Sequence, residues 1–279
     1  MLLRFTKMHG LGNDFVMLDL ISQRVNIHPD LIRKLSDRRY GIGFDQLLTV
    51  RPPGNPDLDF RYTIYNADGT EAEQCGNGAR CFLRFVRDEG LTTKSTIKLE
   101  TNNGEITCKL ERDGNITVDM GRPFLQPAKI PFIADAPQII YDLALTPDCE
   151  ESVRLTAVNV GNPHAVMTVP DVATAPVAEV GKLVENHARF PERVNAGFME
   201  LVSRKKIKLR VFERGVGETN ACGSGACAAV VAGRLQGVLD ETVEVILTGG
   251  TLTVSWPGDD ATITMTGPAC RVYEGRLQI

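Results

Sequence analysis

The chain has 279 residues, of which 43% are hydrophobic and 24% charged, a composition typical of a globular protein of about two domains. The 31 basic and 35 acidic residues nearly cancel, which disfavours nucleic acid or a membrane surface as a partner. Arg4 and Lys7 interrupt the segment where a signal peptide would be apolar, and no apolar run reaches the roughly 20 residues that span a bilayer. We therefore expect a cytoplasmic protein.

The first half of the chain carries signals for strands and two helices. A helix is predicted over residues 29–35, and alternating apolar residues predict a strand at 63–65. Apolar residues at helical spacing predict a second helix over 79–88, ended by a glycine. Two alternating runs within 102–120, joined at Asp113-Gly114, predict a hairpin. The helix at 29–35 is expected to belong to this half alone.

The second half shows the same kind of elements after a proline-rich connection at residues 123–137. A strand is predicted at 208–212 and a helix over 226–235, with Gly237 as its stop. A further pair of alternating runs meets at Gly258-Asp259. These patterns predict an α+β fold with two mostly antiparallel sheets, each wrapped around a helix.

The chain also repeats itself. CGNGA at 75–79 returns as CGSGA at 222–226, 147 positions later, and residues 64–75 match 211–222 at the same offset. GNDFVM at 12–17 resembles GNPHAVM at 161–167. Matches in the same order along the chain indicate a duplication. We expect two similar halves related by a pseudo-two-fold axis.

Seven cysteines are an odd number in a chain without an export signal, which argues against a disulfide framework. No Cys-x-x-Cys pair is present and there are only four histidines, so no structural zinc site is expected. Five of the cysteines are most simply small buried hydrophobic residues. These five are Cys81, Cys108, Cys149, Cys227 and Cys270.

The other two, Cys75 and Cys222, stand at the entrance of a predicted helix, directly before Gly-x-Gly. A helix start offers unpaired N–H groups and partial positive charge, and the glycines allow an anion to approach the backbone. The same environment can lower a cysteine pKa and stabilise a thiolate. One such motif alone fits a small buried residue in a tight turn equally well.

Two motifs at equivalent positions favour catalysis. If both helix starts point into one cleft, one sulfur can remove a proton from the carbon beside a bound carboxylate while the other returns one to the opposite face. Two unrelated structural cysteines, a redox dithiol or a non-catalytic amino-acid binding protein are the alternatives. Asn13 and Asn162 occupy equivalent positions, as do Asn66 and Glu213.

Four segments carry a family resemblance: MHGLGNDFVMLD, YNADGTEAEQCGNGARC, NVGNPHAV and FERGVGETNACGSGACA. Together they resemble the diaminopimelate epimerases over essentially the whole chain. The resemblance implies a cofactor-independent epimerase that interconverts LL- and meso-diaminopimelate in lysine and peptidoglycan-precursor biosynthesis, working as a cytoplasmic homodimer. It also implies two similar domains with the site between them. Because the C-terminal tail returns in this family, the domains are expected at 1–122 plus 268–279, carrying Cys75, and 123–267, carrying Cys222.

Roles for single residues follow from the same resemblance. Cys75 and Cys222 correspond to the acid/base pair, His164 and Glu213 to positions that tune the thiols, and Tyr273 to a dimer contact. The residues implied to bind the substrate are Asn13, Gln46, Asn66, Gly76, Asn77, Asn162, Asn195, Glu213, Arg214, Gly223 and Ser224. No metal or cofactor is implied. The wider fold also includes proline racemase-like enzymes and phenazine-pathway isomerases, so another amino-acid racemase of this fold is the alternative.

Overall fold

The computed structural model describes residues 2–72, 75–102, 104–146 and 152–279. Contacts divide the chain into two compact units. Unit 1 comprises Met1–Asp119 with Thr266–Ile279, and unit 2 comprises Met120–Met265. Within the described ranges, every helix is too short or too polar to traverse a lipid bilayer. Of the five cysteines expected to be buried, Cys81, Cys108 and Cys227 are buried, and Cys149 lies outside the described residues. The expectation is wrong for Cys270, which is exposed on the last strand.

The described elements are four α-helices, a short 3-10 helix and eighteen strands. The helices are α1 Pro29–Ser36, α2 Gly76–Asp88, α3 Val177–Glu185 and α4 Gly223–Leu235, and the 3-10 turn is Pro127–Lys129. The first nine strands are β1 Leu2–Gly10, β2 Asn13–Asp19, β3 Gln46–Arg51, β4 Phe60–Asn66, β5 Glu71–Ala72, β6 Thr96–Thr101, β7 Gly104–Leu110, β8 Ile116–Asp119 and β9 Tyr141–Ala144. The others are β10 Ser152–Asn159, β11 Pro163–Val169, β12 Asn195–Ser203, β13 Lys206–Glu213, β14 Gly217–Thr219, β15 Thr242–Leu247, β16 Gly250–Ser255, β17 Thr264–Gly267 and β18 Cys270–Gln278.

The strand pairing of unit 1 recurs in unit 2. In unit 1, β1–β2, β3–β4, β4–β5, β6–β7 and β7–β8 are antiparallel, while β2–β3 and β4–β6 are parallel. In unit 2, β10–β11, β12–β13, β13–β14 and β15–β16 are antiparallel, while β11–β12 and β13–β15 are parallel. A helix lies on each parallel crossover, as such connections require. The predicted duplication is therefore present in element order and pairing.

Each unit packs its strands against one long helix. The α2 helix contacts β1, β2, β7 and β8, and the α4 helix contacts β10, β11, β12 and β16. Most of α4 is buried, from Ala226 to Gly233, because alanine, valine and glycine surround the helix on every side. Its small residues let the strands approach closely. The last strand, β18, pairs with β1 from Leu2↔Gln278 onward, so the tail belongs to the sheet of unit 1.

Two sequence predictions about helices need correction. The long helices begin at Gly76 and Gly223, three residues before the predicted starts, because each cysteine caps the first turn. The expectation that the helix near residue 29 has no counterpart is wrong. Its counterpart is α3, which lies on the β11–β12 crossover as α1 lies on the β2–β3 crossover. The predicted strands at 63–65 and 208–212 and the hairpin turn at Asp113-Gly114 are confirmed.

Candidate active site

In unit 1, Cys75 is the N-cap of α2. Its Sγ accepts the backbone N–H of Gly78 at 3.4 Å, and the hydroxyl of buried Tyr62 donates to the Cys75 carbonyl oxygen at 3.2 Å. A Cβ on Gly78 would lie 2.7 Å from the Tyr62 hydroxyl oxygen, so a side chain at this position would force the tyrosine to shift. The sulfur therefore sits at a helix start whose backbone is held by a buried tyrosine. Such a start favours a bound anion.

Asn13 and Asn77 bring two amide groups to this cysteine. The Cys75 thiol donates to Asn13 Oδ1 at 3.6 Å, and Asn77 Nδ2 donates to the same oxygen at 3.4 Å. Asn13 stands at the first position of β2 and Asn77 in the first turn of α2. The structure thus brings three residues named in the sequence analysis together within unit 1.

A cluster of charged residues positions the Asn13 side chain. Asn13 Nδ2 donates to Asp45 Oδ2 at 3.0 Å, and Arg38 binds both Asp45, at 2.7 Å, and Asp14, at 2.8 Å. Lys7 Nζ lies 2.6 Å from Asp14 Oδ2. Although burial opposes ionisation, hydrogen bonds from Arg38 and Lys7 hold the pKa of Asp14 well below its usual range. These ion pairs and hydrogen bonds therefore hold the Asn13 amide in one orientation.

Gln46 and Asn66 lie opposite each other on β3 and β4. Gln46 Nε2 donates to Asn66 Oδ1 at 3.0 Å, and Asn66 Nδ2 donates to Thr70 Oγ1 at 3.1 Å. Both are half-buried. Their register makes them a pair of amides at the edge of unit 1.

In unit 2, Cys222 caps α4 in the same manner. Its Sγ accepts the Gly225 N–H at 3.4 Å and lies 3.6 Å from Ser224 Oγ. The residue is 4% exposed. Burial and then the negative charge of Glu213 raise the pKa of this thiol well above its ordinary value. The expectation that the helix start lowers the cysteine pKa is therefore wrong for Cys222, because loss of solvation outweighs the helix-start hydrogen bond.

His164 is fully buried on β11 beside this cysteine. Its Nε2 lies 2.9 Å from Asn162 Oδ1 and 3.1 Å from Ser224 Oγ, so it reaches Cys222 through the serine. Burial, aided by the positive charge of Arg214, lowers the pKa of His164 to about 3. The imidazole is thus neutral at physiological pH and can orient Ser224 by hydrogen bonding rather than by charge.

The remaining polar residues of unit 2 form one connected group. Asn195 Nδ2 donates to the Pro163 carbonyl at 3.0 Å, and Asn195 Oδ1 accepts the Arg214 backbone N–H at 2.9 Å. The Thr219 hydroxyl donates to Glu213. Asn195 therefore fixes the backbone at Arg214, whose guanidinium donates to the Glu192 carbonyl at 3.1 Å.

A family model for diaminopimelate epimerase matches residues 5–125 and 156–272. The chain belongs to the diaminopimelate epimerase family. A protein named diaminopimelate epimerase from Ectopseudomonas mendocina (strain ymp) is 54% identical over 280 residues, which cover 100% of each chain. The family resemblance found in the sequence is therefore confirmed, and the chain is an isomerase.

Solved structures of low identity share the fold. A hydroxyproline epimerase from Agrobacterium vitis superposes with a TM-score of 0.73 at 15% identity, over 99% of this chain and 92% of that one. A phenazine biosynthesis protein of the PhzF family from Bacillus anthracis gives 0.66 at 16% identity, over 100% of both chains. These likenesses confirm the predicted α+β fold.

Three residues that support the asparagines around Cys75 were not predicted from the sequence. Asp45 accepts a hydrogen bond from Asn13, Arg80 donates one to Asn77, and Arg38 binds the Asp45 carboxylate. None of the three had a signal in the sequence, because Arg80 shares its helical spacing with Arg84 and Arg87, which reach the surface. Folding alone brings Asp45 to Asn13 and Arg38 to Asp45. Within the described ranges, no group of three or more His, Cys, Asp or Glu residues could hold a metal ion.

Proposed function

We propose that the chain interconverts LL- and meso-diaminopimelate for lysine and peptidoglycan-precursor biosynthesis, with Cys75 and Cys222 as the acid/base pair and no cofactor. The observation that carries the proposal is a feature that both units of this family member share. In each unit, a cysteine sulfur caps the N-terminus of a buried helix. This arrangement suits a reaction at the carbon next to the carboxylate of a small molecule, because each helix start offers N–H groups that can bind the anion.

The proposed reaction moves one proton off the α-carbon and another onto it. A thiolate removes the α-proton, and the electron pair left behind spreads onto the carboxylate, whose growing charge is stabilised by backbone N–H groups of Gly76, Asn77, Gly223 and Ser224. The other cysteine donates its thiol proton to the opposite side of the carbon, which inverts the centre. The reaction therefore requires one sulfur on each side of the α-carbon, and the two cysteines exchange protonation states with every inversion.

The environment of Cys222 suits the donor role at the start of a cycle. Burial and Glu213 raise the pKa of its thiol, so Cys222 holds its proton at neutral pH. Cys75 is half-buried and touches Asn13 and the Gly78 N–H. In this proposal Cys75 takes the first proton.

Recognition of the far end of the substrate is assigned to the polar groups that remain. Glu213 can accept from an ammonium group and Arg214 can donate to a carboxylate. Asn66 in unit 1 and Asn162 in unit 2 offer further amide groups, and Asn195 holds the backbone at Arg214. A ligand of the wrong configuration would leave such partners unsatisfied, at a cost of about 1–3 kcal/mol each. This arrangement favours a long diamino dicarboxylate over proline.

The experiment is exchange of the α-hydrogen in deuterated water with the reduced protein and diaminopimelate. We expect deuterium to enter the α-position and the two stereoisomers to equilibrate. Cys75→Ala and Cys222→Ala should each lower kcat at least about 10³-fold, since each removes a general acid or base. Cys270→Ala, at an exposed cysteine, is the matched control and should keep full activity. Binding without exchange in the unmodified protein would instead identify a non-catalytic amino-acid binding protein.

A second copy of the chain is the proposed partner and the cytoplasm the proposed location. Tyr273 lies on β18, packs edge-on against Phe5 at 6.0 Å between ring centroids, and is 46% exposed. Val272 beside it is 55% exposed. These side chains support β18 as the dimer surface, because they leave apolar area for another subunit to cover.

A further inference from the structure

Unit 1 buries a guanidinium within the first turns of α2. Arg80 is 0% exposed and ranks among the largest fully buried side chains of the protein. Burying a charge is costly unless hydrogen bonds satisfy it, so a buried arginine marks a place where its donors are needed. The duplicated position in unit 2 holds Cys227, which is also buried. The arginine is therefore specific to the half that carries Cys75.

The guanidinium makes hydrogen bonds in two directions. Arg80 Nη2 donates to Asn77 Oδ1 at 2.9 Å, and Arg80 Nε donates to the Pro268 carbonyl at 3.1 Å. A Cβ on Gly10 would lie 3.2 Å from Arg80 Nη2 and 3.3 Å from Asn77 Cβ, so the missing side chain on β1 leaves room for this contact. Arg80 thus joins the helix start to the chain segment that leads into β18.

The bond to Asn77 determines which way its amide points. With its oxygen engaged by Arg80, the Asn77 NH₂ group faces Asn13 Oδ1, 3.4 Å away. That oxygen is also the acceptor for the Cys75 thiol at 3.6 Å. On its other side, the Asn13 NH₂ is held by Asp45 at 3.0 Å. A continuous series of hydrogen bonds therefore runs from the buried guanidinium to the catalytic sulfur.

We propose that Arg80 is a positioning residue for Cys75, acting through Asn77 and Asn13. The proposal rests on the proposed epimerase function. Arg80 keeps the Asn77 amide in one orientation, and so keeps both the Asn13 oxygen and the start of α2 in place around the thiol. Its action is on the geometry of the transition state rather than on binding the distal end of the substrate.

The experiment is a double-mutant cycle on the epimerase reaction with Arg80→Met and Asn77→Ala. Arg80→Met should lower kcat about 10- to 100-fold and leave KM within about threefold, because misplacement of a catalytic group by a fraction of an ångström has effects of this size. In the Asn77→Ala background, Arg80→Met should cost less than about threefold more, since the residue through which it acts is gone. Arg80→Lys, which keeps one donor for Asn77, should recover part of the loss. Arg84→Met removes the next arginine of the same helix, which pairs with Asp88 at the surface, and should keep full activity.

The outcomes separate the proposal from its alternatives. Thermal unfolding is recorded for every variant, and kcat is referred to the folded fraction. A purely structural role predicts a lower melting temperature with unchanged kcat, or losses in the two variants that multiply; either result would overturn the proposal. If Arg80→Met fails to fold, Arg80→Lys with and without Asn77→Ala gives the same cycle. If the unmodified protein fails to exchange the α-hydrogen, the proposed function fails first, and this is seen before any variant is made.

Discussion

Both units place a cysteine at the N-terminus of a helix, but the side chains around the two cysteines differ. In both, a cysteine caps the helix and its sulfur accepts an N–H three residues ahead at 3.4 Å. Three equivalent positions, 147 residues apart, differ in polarity or charge: Tyr62 and Leu209, Arg80 and Cys227, Asn66 and Glu213. Unit 1 therefore surrounds its cysteine with amide groups supported by a buried cation, whereas unit 2 places Ser224 and the carboxylate of Glu213 near its own.

In the proposed mechanism, this difference would let two similar units perform two different proton transfers. Deprotonation on one side and protonation on the other require one sulfur to start as a base and the other as an acid. The helix starts are equivalent and do not distinguish the two. Proton affinity is instead set by burial and by charged neighbours, as the raised pKa of Cys222 illustrates.

The strongest test of this comparison removes the carboxylate from unit 2. Glu213→Gln should lower kcat/KM about 10- to 100-fold, because a hydrogen bond to a charged group contributes about 1.5–3 kcal/mol. At the same time the pKa of Cys222 should fall toward its ordinary value, because the nearby negative charge is gone. Steady-state kinetics and the ultraviolet absorbance of the thiolate against pH measure the two effects.

Glu218→Gln is the control for that variant, since Glu218 binds Arg210 at 2.6 Å on the same strand pair. It should alter neither the kinetics nor the titration of Cys222. An unchanged Cys222 titration in Glu213→Gln would show that burial alone makes this half a proton donor.

The second test uses the buried imidazole of unit 2. Folded His164 stays neutral down to a pKa of about 3, whereas the unfolded chain takes up a proton below its ordinary value of 6.5. The contribution of neutral His164 to the free energy of unfolding is therefore fully present above pH 6.5, and it is lost as the pH falls toward 3. Between pH 7 and pH 5 the loss is about 2 kcal/mol, at about 1.4 kcal/mol per pH unit.

Urea unfolding at the two pH values measures this loss, and His164→Gln should reduce it. His9→Gln, at a partly exposed histidine, is the matched control for replacing a histidine by glutamine. The same pH dependence in His164→Gln and in the unmodified protein would mean that this imidazole does not titrate as its burial requires.

The third test concerns the hydrogen bond that supports the Cys75 backbone in unit 1, whose removal has the smallest expected effect. Tyr62→Phe removes the hydrogen bond to the Cys75 carbonyl and should cost about 1 kcal/mol. Gly78→Ala should cost about 1–3 kcal/mol, because the new methyl group meets the Tyr62 hydroxyl. The two costs should not add in the double variant, since the phenylalanine ring has no hydroxyl for the methyl group to meet; denaturant unfolding measures all three.

Tyr40→Phe, at a side chain that is 91% exposed, should leave stability unchanged and controls for loss of a hydroxyl. Additive losses from Tyr62→Phe and Gly78→Ala would indicate that Leu48, 3.2 Å from the same Cβ position, causes the strain instead.

Much of the local structure was predictable because its causes are local. Alternation along 208–212 and the Asp113-Gly114 turn predicted β13 and the β7–β8 hairpin. The Cys-Gly-x-Gly motif predicted helix starts, though not that the cysteine itself would cap each one. The helix α3 was missed because it has only nine residues and carries a glycine, Gly181, in its middle, which lowers its helix propensity.

The amino-acid sequence by itself determined the duplication, the family, the strand and helix types and the two cysteines, because repeated motifs and hydrophobic periodicity are written along the chain. Only the tertiary structure decided that Asp45, Asn13, Asn77 and Arg80 form one series of hydrogen bonds ending at Cys75. It also decided that the Cys222 thiol keeps its proton. The hydrogen bonds depend on which distant residues folding brings within a few ångströms of each other. The proton affinity of the Cys222 thiol depends on such neighbours and on how much water folding removes from around it.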